Sequence, residues 1–226
     1  MNRRPLEILL EDNHLLAVAK PAHLPTMGVE ADHVSLITLV RDYLRDKYKK
    51  PGNVYVGIVS RLDSLATGVI ILARTSKAAS RLTEQFRSRS VLKKYWAIVP
   101  GVPPVATGTL THWMRKNESL QRMVICSAQD AGAQRADLTY QTLRTATRAA
   151  LLEVDLLTGR KHQIRVQLAE QRLPILGDQK YGSQITFPKG IALHSRFLQF
   201  EHPVRHEQIQ LVAPVPDYWP RWCLER

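Results

Sequence analysis

The sequence predicts an α+β protein built on a large mixed or mostly antiparallel sheet. Three observations carry this. Segments rich in β-branched and aromatic residues outnumber those with a helical apolar period. The helical segments, about three of them, do not alternate regularly with the strands as a βαβ chain would. One run, GVIILAR at 68–74, is apolar enough to lie in the middle of a sheet.

Taken in order, EILLEDNHLLAVAK (7–20) reads as two short strands about a Glu-Asp-Asn turn. PAHLPTMG (21–28) is a proline-rich loop. SLITLVRDYLRDKY (35–48) reads as a helix, with Leu36, Val40, Tyr43 and Leu44 on one face. PGN (51–53) is a turn, and VYVGIVS (54–60) and GVIILAR read as strands. Thr75 or Ser76 caps a second helix, in which Ala78, Ala79, Leu82 and Phe86 recur at helical spacing. Strands follow at KKYWAIVPG (93–101), RMVICS (122–127), ADLTYQTLRT (136–145) and AALLEVDLL (149–157). HQIRVQLAE (162–170) reads as a third helix, and IALHSRFLQF and QIQLVAP as the last strands. GVPPVATG (101–108) is a candidate hinge between lobes, or a loop.

The chain has 226 residues, enough for one large domain or two lobes sharing a core. VIILA falls far short of the roughly 18 apolar residues of a membrane span. The N-terminal stretch carries acids where a signal peptide is apolar, so a cytoplasmic location is expected. Cys126 and Cys223 stand far apart with no metal-ligand spacing, so neither a metal nor a disulfide is expected. The formal net charge is +12, which in a cytoplasmic protein points to a polyanionic partner. From Arg74 to Lys94 there are seven Lys and Arg residues and one acid, Glu84. Lys77, Arg81 and Arg87 line the exposed side of the second helix, either as a solvated face or as a phosphate grip.

In GIVSRLDSLATGVIILARTSK one carboxylate, Asp63, lies between two strand-like segments. By spacing alone an Asp there is an ordinary turn residue. Tyr95 by itself is a strand aromatic, and Arg165 a surface arginine at the edge of a stripe formed by Ile164 and Leu168.

Four motifs change this reading. SRLDSLATG with VIILARTSKAA, KKYWAIVPG, LLTGRKHQIRVQLAEQRLPILGDQKYG and LLAVAKPAHLP together resemble the conserved segments of the RluA-type pseudouridine synthases, in family order, over residues 7–215. Ser60, Ala66-Thr67 and Ala19 depart from the usual His, Thr-Ser and Asn. The resemblance implies one catalytic domain over 1–226 in two lobes flanking a central cleft, without a separate N-terminal RNA-binding domain. It implies an isomerase that breaks the bond from ribose to uracil nitrogen, turns the base, and makes a carbon–carbon bond to the same ribose, without cofactor or metal.

Residue by residue, the resemblance implies Asp63 as the catalytic carboxylate, Tyr95 beside the uracil, and Arg165 as the cation that keeps Asp63 ionised. Arg61 is implied to fill the gap left by the flipped base. Lys20, Lys94, Arg160, His162 and Gln163 are candidate RNA contacts with Lys77, Arg81 and Arg87; Lys20 can equally be a strand end, and His162 and Gln163 can equally orient their loop. The implied partner is ribosomal or transfer RNA, and a monomer is expected. A catalytically silent RNA-binding relative is the alternative. A hydrolase ranks last, because glycoside hydrolysis uses two carboxylates and the motifs offer only Asp178 as a second.

Overall fold

A computed structural model describes residues 6–28 and 34–224. The first elements are β1 (Glu7–Glu11), β2 (Leu15–Lys20), α1 (Leu36–Tyr48), β3 (Gly57–Ile58), β4 (Thr67–Ala73) and α2 (Ser76–Arg87). Then come β5 (Leu92–Pro100), β6 (Thr107–Asn117), β7 (Arg122–Cys126), β8 (Gln134–Ala146), β9 (Ala149–Leu156), α3 (Gln163–Glu170), β10 (Leu193–Glu201) and β11 (Gln208–Val212). Eleven strands and three α-helices among the described residues make the protein α+β.

The chain divides into two compact units, Met1–Leu92 with Ser195–Val215, and Lys93–His194 with Pro216–Arg226. The divisions do not fall at the candidate hinge. Residues 101–106 are a loop inside the second unit, and β6 begins at Thr107.

In the first unit β4 is the central strand, between β2 and β10. All seven of its residues are buried. β2 pairs with it antiparallel, Leu15 opposite Ala73 through Lys20 opposite Gly68. β1 continues from β2, and β11 from β10. The core gathers Leu15, Ala17, Val69, Ile71, Leu82, Leu198 and Phe200. Both helices of this unit are capped: Ser35 and Thr38 form a reciprocal capping box on α1, and on α2 the expected cap is Thr75, whose hydroxyl accepts from Ala78 N. The segment read as a seven-residue strand at 54–60 pairs only at Gly57–Ile58.

In the second unit the antiparallel order is β5, β9, β8, β6, β7. α3 packs over this sheet, with Val166 against Met114, Met123, Ala136 and Tyr181. The expectation of an amphipathic α3 is corrected. Its first six residues, Gln163 through Leu168, are all buried. Polar groups can sit there because backbone carbonyls and one carboxylate meet them.

Candidate active site

Asp63 lies in a tight turn just ahead of β4, where Ala66 N donates to Asp63 O at 3.1 Å. The side chain is half-buried. The turn is held from two sides by the proline-rich loop. Thr26 Oγ1 donates to Leu62 O at 2.8 Å and accepts from Leu62 N at 3.1 Å. Lys20 Nζ donates to Pro21 O, Leu24 O and Ser64 O at 2.8, 2.9 and 3.3 Å. The residues immediately before and after Asp63 are thus tied to one loop. Arg61, two positions earlier, is exposed.

Gly68 completes the frame. Its φ is +112°, and a Cβ there would come within 2.2 Å of Ser195 O. Only glycine lets β4 pass so close to β10 at the exit of the Asp63 turn.

Lys20 is 1% exposed and cannot touch a substrate, which corrects the expectation of an RNA contact. It is a loop clamp. Burial pulls its pKa down to about 7, and the Asp63 carboxylate acts in the opposite direction. Lys20 is therefore a cation that stands in the field of Asp63 within the first unit. The signal was present in Lys20-Pro21, but a lysine reads as surface until its three carbonyl partners are known.

In the second unit Tyr95 lies on β5, opposite Val154, and is half-buried. Lys94 donates to Glu153 at 2.7 Å and lies 3.8 Å from Asp155. The hydrogen bond from Lys94 to Glu153 raises its pKa. Arg165 is not at the edge of an exposed stripe. It is 3% exposed and binds Asp178 through two parallel bonds, Nε at 2.6 Å and one terminal nitrogen at 2.8 Å. Its guanidinium also lies 4.9 Å from the centre of the Tyr181 ring. Asp178 and Tyr181, both in the GDQKYG segment, fix the fork in the manner of buried bidentate pairs.

Gln163 is buried and committed to its loop. Its Oε1 accepts from Thr158 Oγ1 at 2.7 Å and Arg160 N at 3.0 Å, and its Nε2 donates to Asp137 O at 3.0 Å. It orients the turn rather than facing RNA. His162 takes a left-handed conformation, φ 55°, and its Nδ1 lies 2.8 Å from the Tyr181 hydroxyl. Arg160 is partly exposed and donates to Arg135 O. On α2, Lys77, Arg81 and Arg87 are all exposed, with Arg81 also reaching Pro203 O and Arg87 lying 3.3 Å from Glu84. Among the described residues no three His, Cys, Asp or Glu side chains are grouped to hold a metal, and no helix is long and apolar enough to cross a membrane.

A turn-mounted acid with a buried lysine beneath it, in a basic α+β chain carrying the TGRKHQIR turn, matches what the comparisons find. Residues 14–170 match the family model described as RNA pseudouridylate synthase. The chain is 36% identical over 230 residues to ribosomal large subunit pseudouridine synthase D of Xylella fastidiosa, covering 94% of this chain and 67% of that protein. It is 34% identical over 230 residues to the protein of that name in Vibrio cholerae, covering 94% and 68%. The solved structure of human RNA pseudouridylate synthase domain containing 4 superposes with a TM-score of 0.78 at 28% identity, covering 94% of this chain and 90% of that one.

The chain belongs to the RNA pseudouridylate synthase family. Its reaction is the isomerisation of uridine to pseudouridine in RNA. The RluA-type assignment stands with it, through relatives named as large subunit synthases C and D.

Proposed function

We propose that the chain modifies a uridine of large-subunit ribosomal RNA, with Asp63 as the acting carboxylate. The observation that supports Asp63 most is its mounting: a half-buried acid whose neighbours Leu62 and Ser64 are both clamped by Thr26 and Lys20. Such a group stays aimed while the base beside it turns, which is the demand of an isomerisation that releases and recaptures one base. The ribosomal target rests on the relatives named for it.

Asp63 takes part in breaking the bond from the ribose carbon to the uracil nitrogen. A carbon–carbon bond then forms to the same ribose, and the proton on that uracil carbon leaves with the help of the Tyr95 hydroxyl, the role that the resemblance implies for it. Arg165, with its fork fixed by Asp178, supplies positive charge, and Arg61 enters the stack when the base leaves it. The protein works as a single catalytic domain and a monomer in the cytoplasm, without cofactor. Pseudouridine mapping in the host, with and without this gene, tests the target. Loss of one or more sites in large-subunit ribosomal RNA is expected; loss confined to transfer RNA would overturn it.

A further inference from the structure

The two faces of the sheet in the second unit carry their charges differently. Met114 and Ala136 pack against Val166 of α3, so they mark the face that α3 covers. Alternation along β6 puts Lys116 on that face with Met114. Alternation along β8 puts Tyr140 there with Ala136. Tyr140 lies opposite Val154, and Val154 opposite Tyr95. Directly opposed residues share a face, so Tyr95 stands on the α3 side, and with it Lys93 two positions earlier.

Lys94, Arg115 and Arg135 point to the other face, and each meets a carboxylate there. Lys94 bonds Glu153 at 2.7 Å, Arg135 bonds Asp137 at 3.1 Å, and Arg115 lies 3.5 Å from Asp130. On the α3 face Lys116 and Lys161 share one acid. Glu118 bonds Lys116 at 2.6 Å, and the Lys161 charge acts on the same carboxylate. Asp178 is buried and committed to Arg165, and Glu170 stands at the far end of α3. The α3 face therefore keeps a positive excess where the opposite face is balanced.

The lysines lie in sequence across the sheet. Thr158 N donates to Asp137 O at 3.2 Å and Arg160 Nε to Arg135 O at 3.0 Å, so the turn 158–162 runs beside β8 toward Gln134. Gln134 is opposite Met114, two residues short of Lys116. At the start of the turn Gly159 is exposed and bare, and a Cβ there would lie 4.0 Å from Lys93 Nζ. Lys93, Lys161 and Lys116 thus lead away from Tyr95 in that order. From the strand register, Lys93 and Lys116 are three strand spacings and about six residues apart, on the order of 25 Å. That span accommodates several successive phosphates. An ammonium on a flexible stem suits a backbone phosphate and reads no base, so such a row fixes register rather than sequence.

We propose that Lys93, Lys161 and Lys116 form a phosphate track that holds the RNA strand leading away from the target uridine. This rests on the reading that sets that uridine beside Tyr95.

The test is fluorescence anisotropy across a salt series with a labelled transcript of large-subunit ribosomal RNA, run beside tritium release from that transcript. Lys161→Ala and Lys116→Ala should each flatten the log–log salt dependence by about 0.7, and the triple variant with Lys93→Ala by about 2. Lys161→Ala and Lys116→Ala should raise KM and leave kcat at saturating RNA unchanged, because phosphate contacts are made equally before and during the reaction. Lys161→Arg should keep the wild-type slope. Glu118→Gln should tighten binding, since it frees Lys116 and removes the one acid beside the track; a merely structural role gives no such gain. Arg135→Ala, beside the same turn but on the opposite face, should match wild type. Wild-type slope and KM in the Lys116→Ala, Lys161→Ala double variant, with circular dichroism showing it folded, would overturn the proposal. So would an equal flattening in Arg135→Ala, which would make the effect one of overall charge. Wild-type kcat and KM in Tyr95→Ala would refute the placement of the uridine instead, and the track would then stand or fall on the salt slopes alone.

Discussion

Replacing Lys20 by Met keeps the length of the side chain and removes its charge and its three donors. In the folded protein burial pulls Lys20 down to about 7 against the opposing pull of Asp63. In the unfolded chain the lysine titrates near its ordinary 10.5. Between those two pH values the unfolded state binds more protons, so the stability of the wild type rises with pH across that window. Below about 7 both states are protonated and the cost of burying the ammonium is fully present. One pKa unit corresponds to about 1.4 kcal/mol, so the full span is of the order of 5 kcal/mol, and the interval from pH 7 to 9 holds roughly 2 kcal/mol of it. Urea unfolding of wild type and Lys20→Met at pH 7, 8 and 9 reads this directly. The wild type should gain on the variant as pH rises. A difference that does not change with pH would refute the reasoning, since it would mean that the carbonyls of Pro21, Leu24 and Ser64 hold the ammonium as well as water does.

Asp178→Asn should cost about 3–5 kcal/mol in unfolding free energy, because it leaves the Arg165 guanidinium buried without its counter-charge; adding Arg165→Met should recover part of that, and strict additivity in the double-mutant cycle would contradict the pairing. Gly68→Ala should destabilise by more than about 2 kcal/mol, visible as a lower Tm, since the methyl meets Ser195 O and the backbone is left-handed. The triple variant Lys77→Ala, Arg81→Ala, Arg87→Ala should flatten the salt dependence of RNA binding by about 0.7–0.9 per lost phosphate contact; an unchanged slope returns that face to ordinary solvation.

Much of the fold could be read in advance where burial follows a simple period. GVIILAR gave β4 because both faces of that strand are covered, and Thr75 marked the start of α2 because its hydroxyl caps locally. β6 was not visible. Only Leu110 and Met114 of its eleven residues are buried, four apart, so its threonines, Trp113 and charges hide the alternation. The α3 stripe argument failed for a related reason. Gln167 is wholly buried, and its Nε2 lies within 3.0–3.1 Å of Leu110 O, His112 Nδ1 and Ala136 O, partners that only the tertiary fold assembles. At the site, Asp63 was legible through its motif. The clamp on either side of it was not, because Thr26 and Lys20 lie about forty residues away from the backbone atoms they hold.

The claim that Asp63 does the chemistry is tested most directly by assaying Asp63→Asn and Asp63→Ala for uridine isomerisation in ribosomal RNA transcript, with RNA affinity measured on the same preparations. Isomerisation should be abolished in both while affinity stays near wild type, because the phosphate contacts lie on other residues. Activity within about tenfold of wild type in Asp63→Ala, a loss below about 1.4 kcal/mol of transition-state stabilisation, would contradict it.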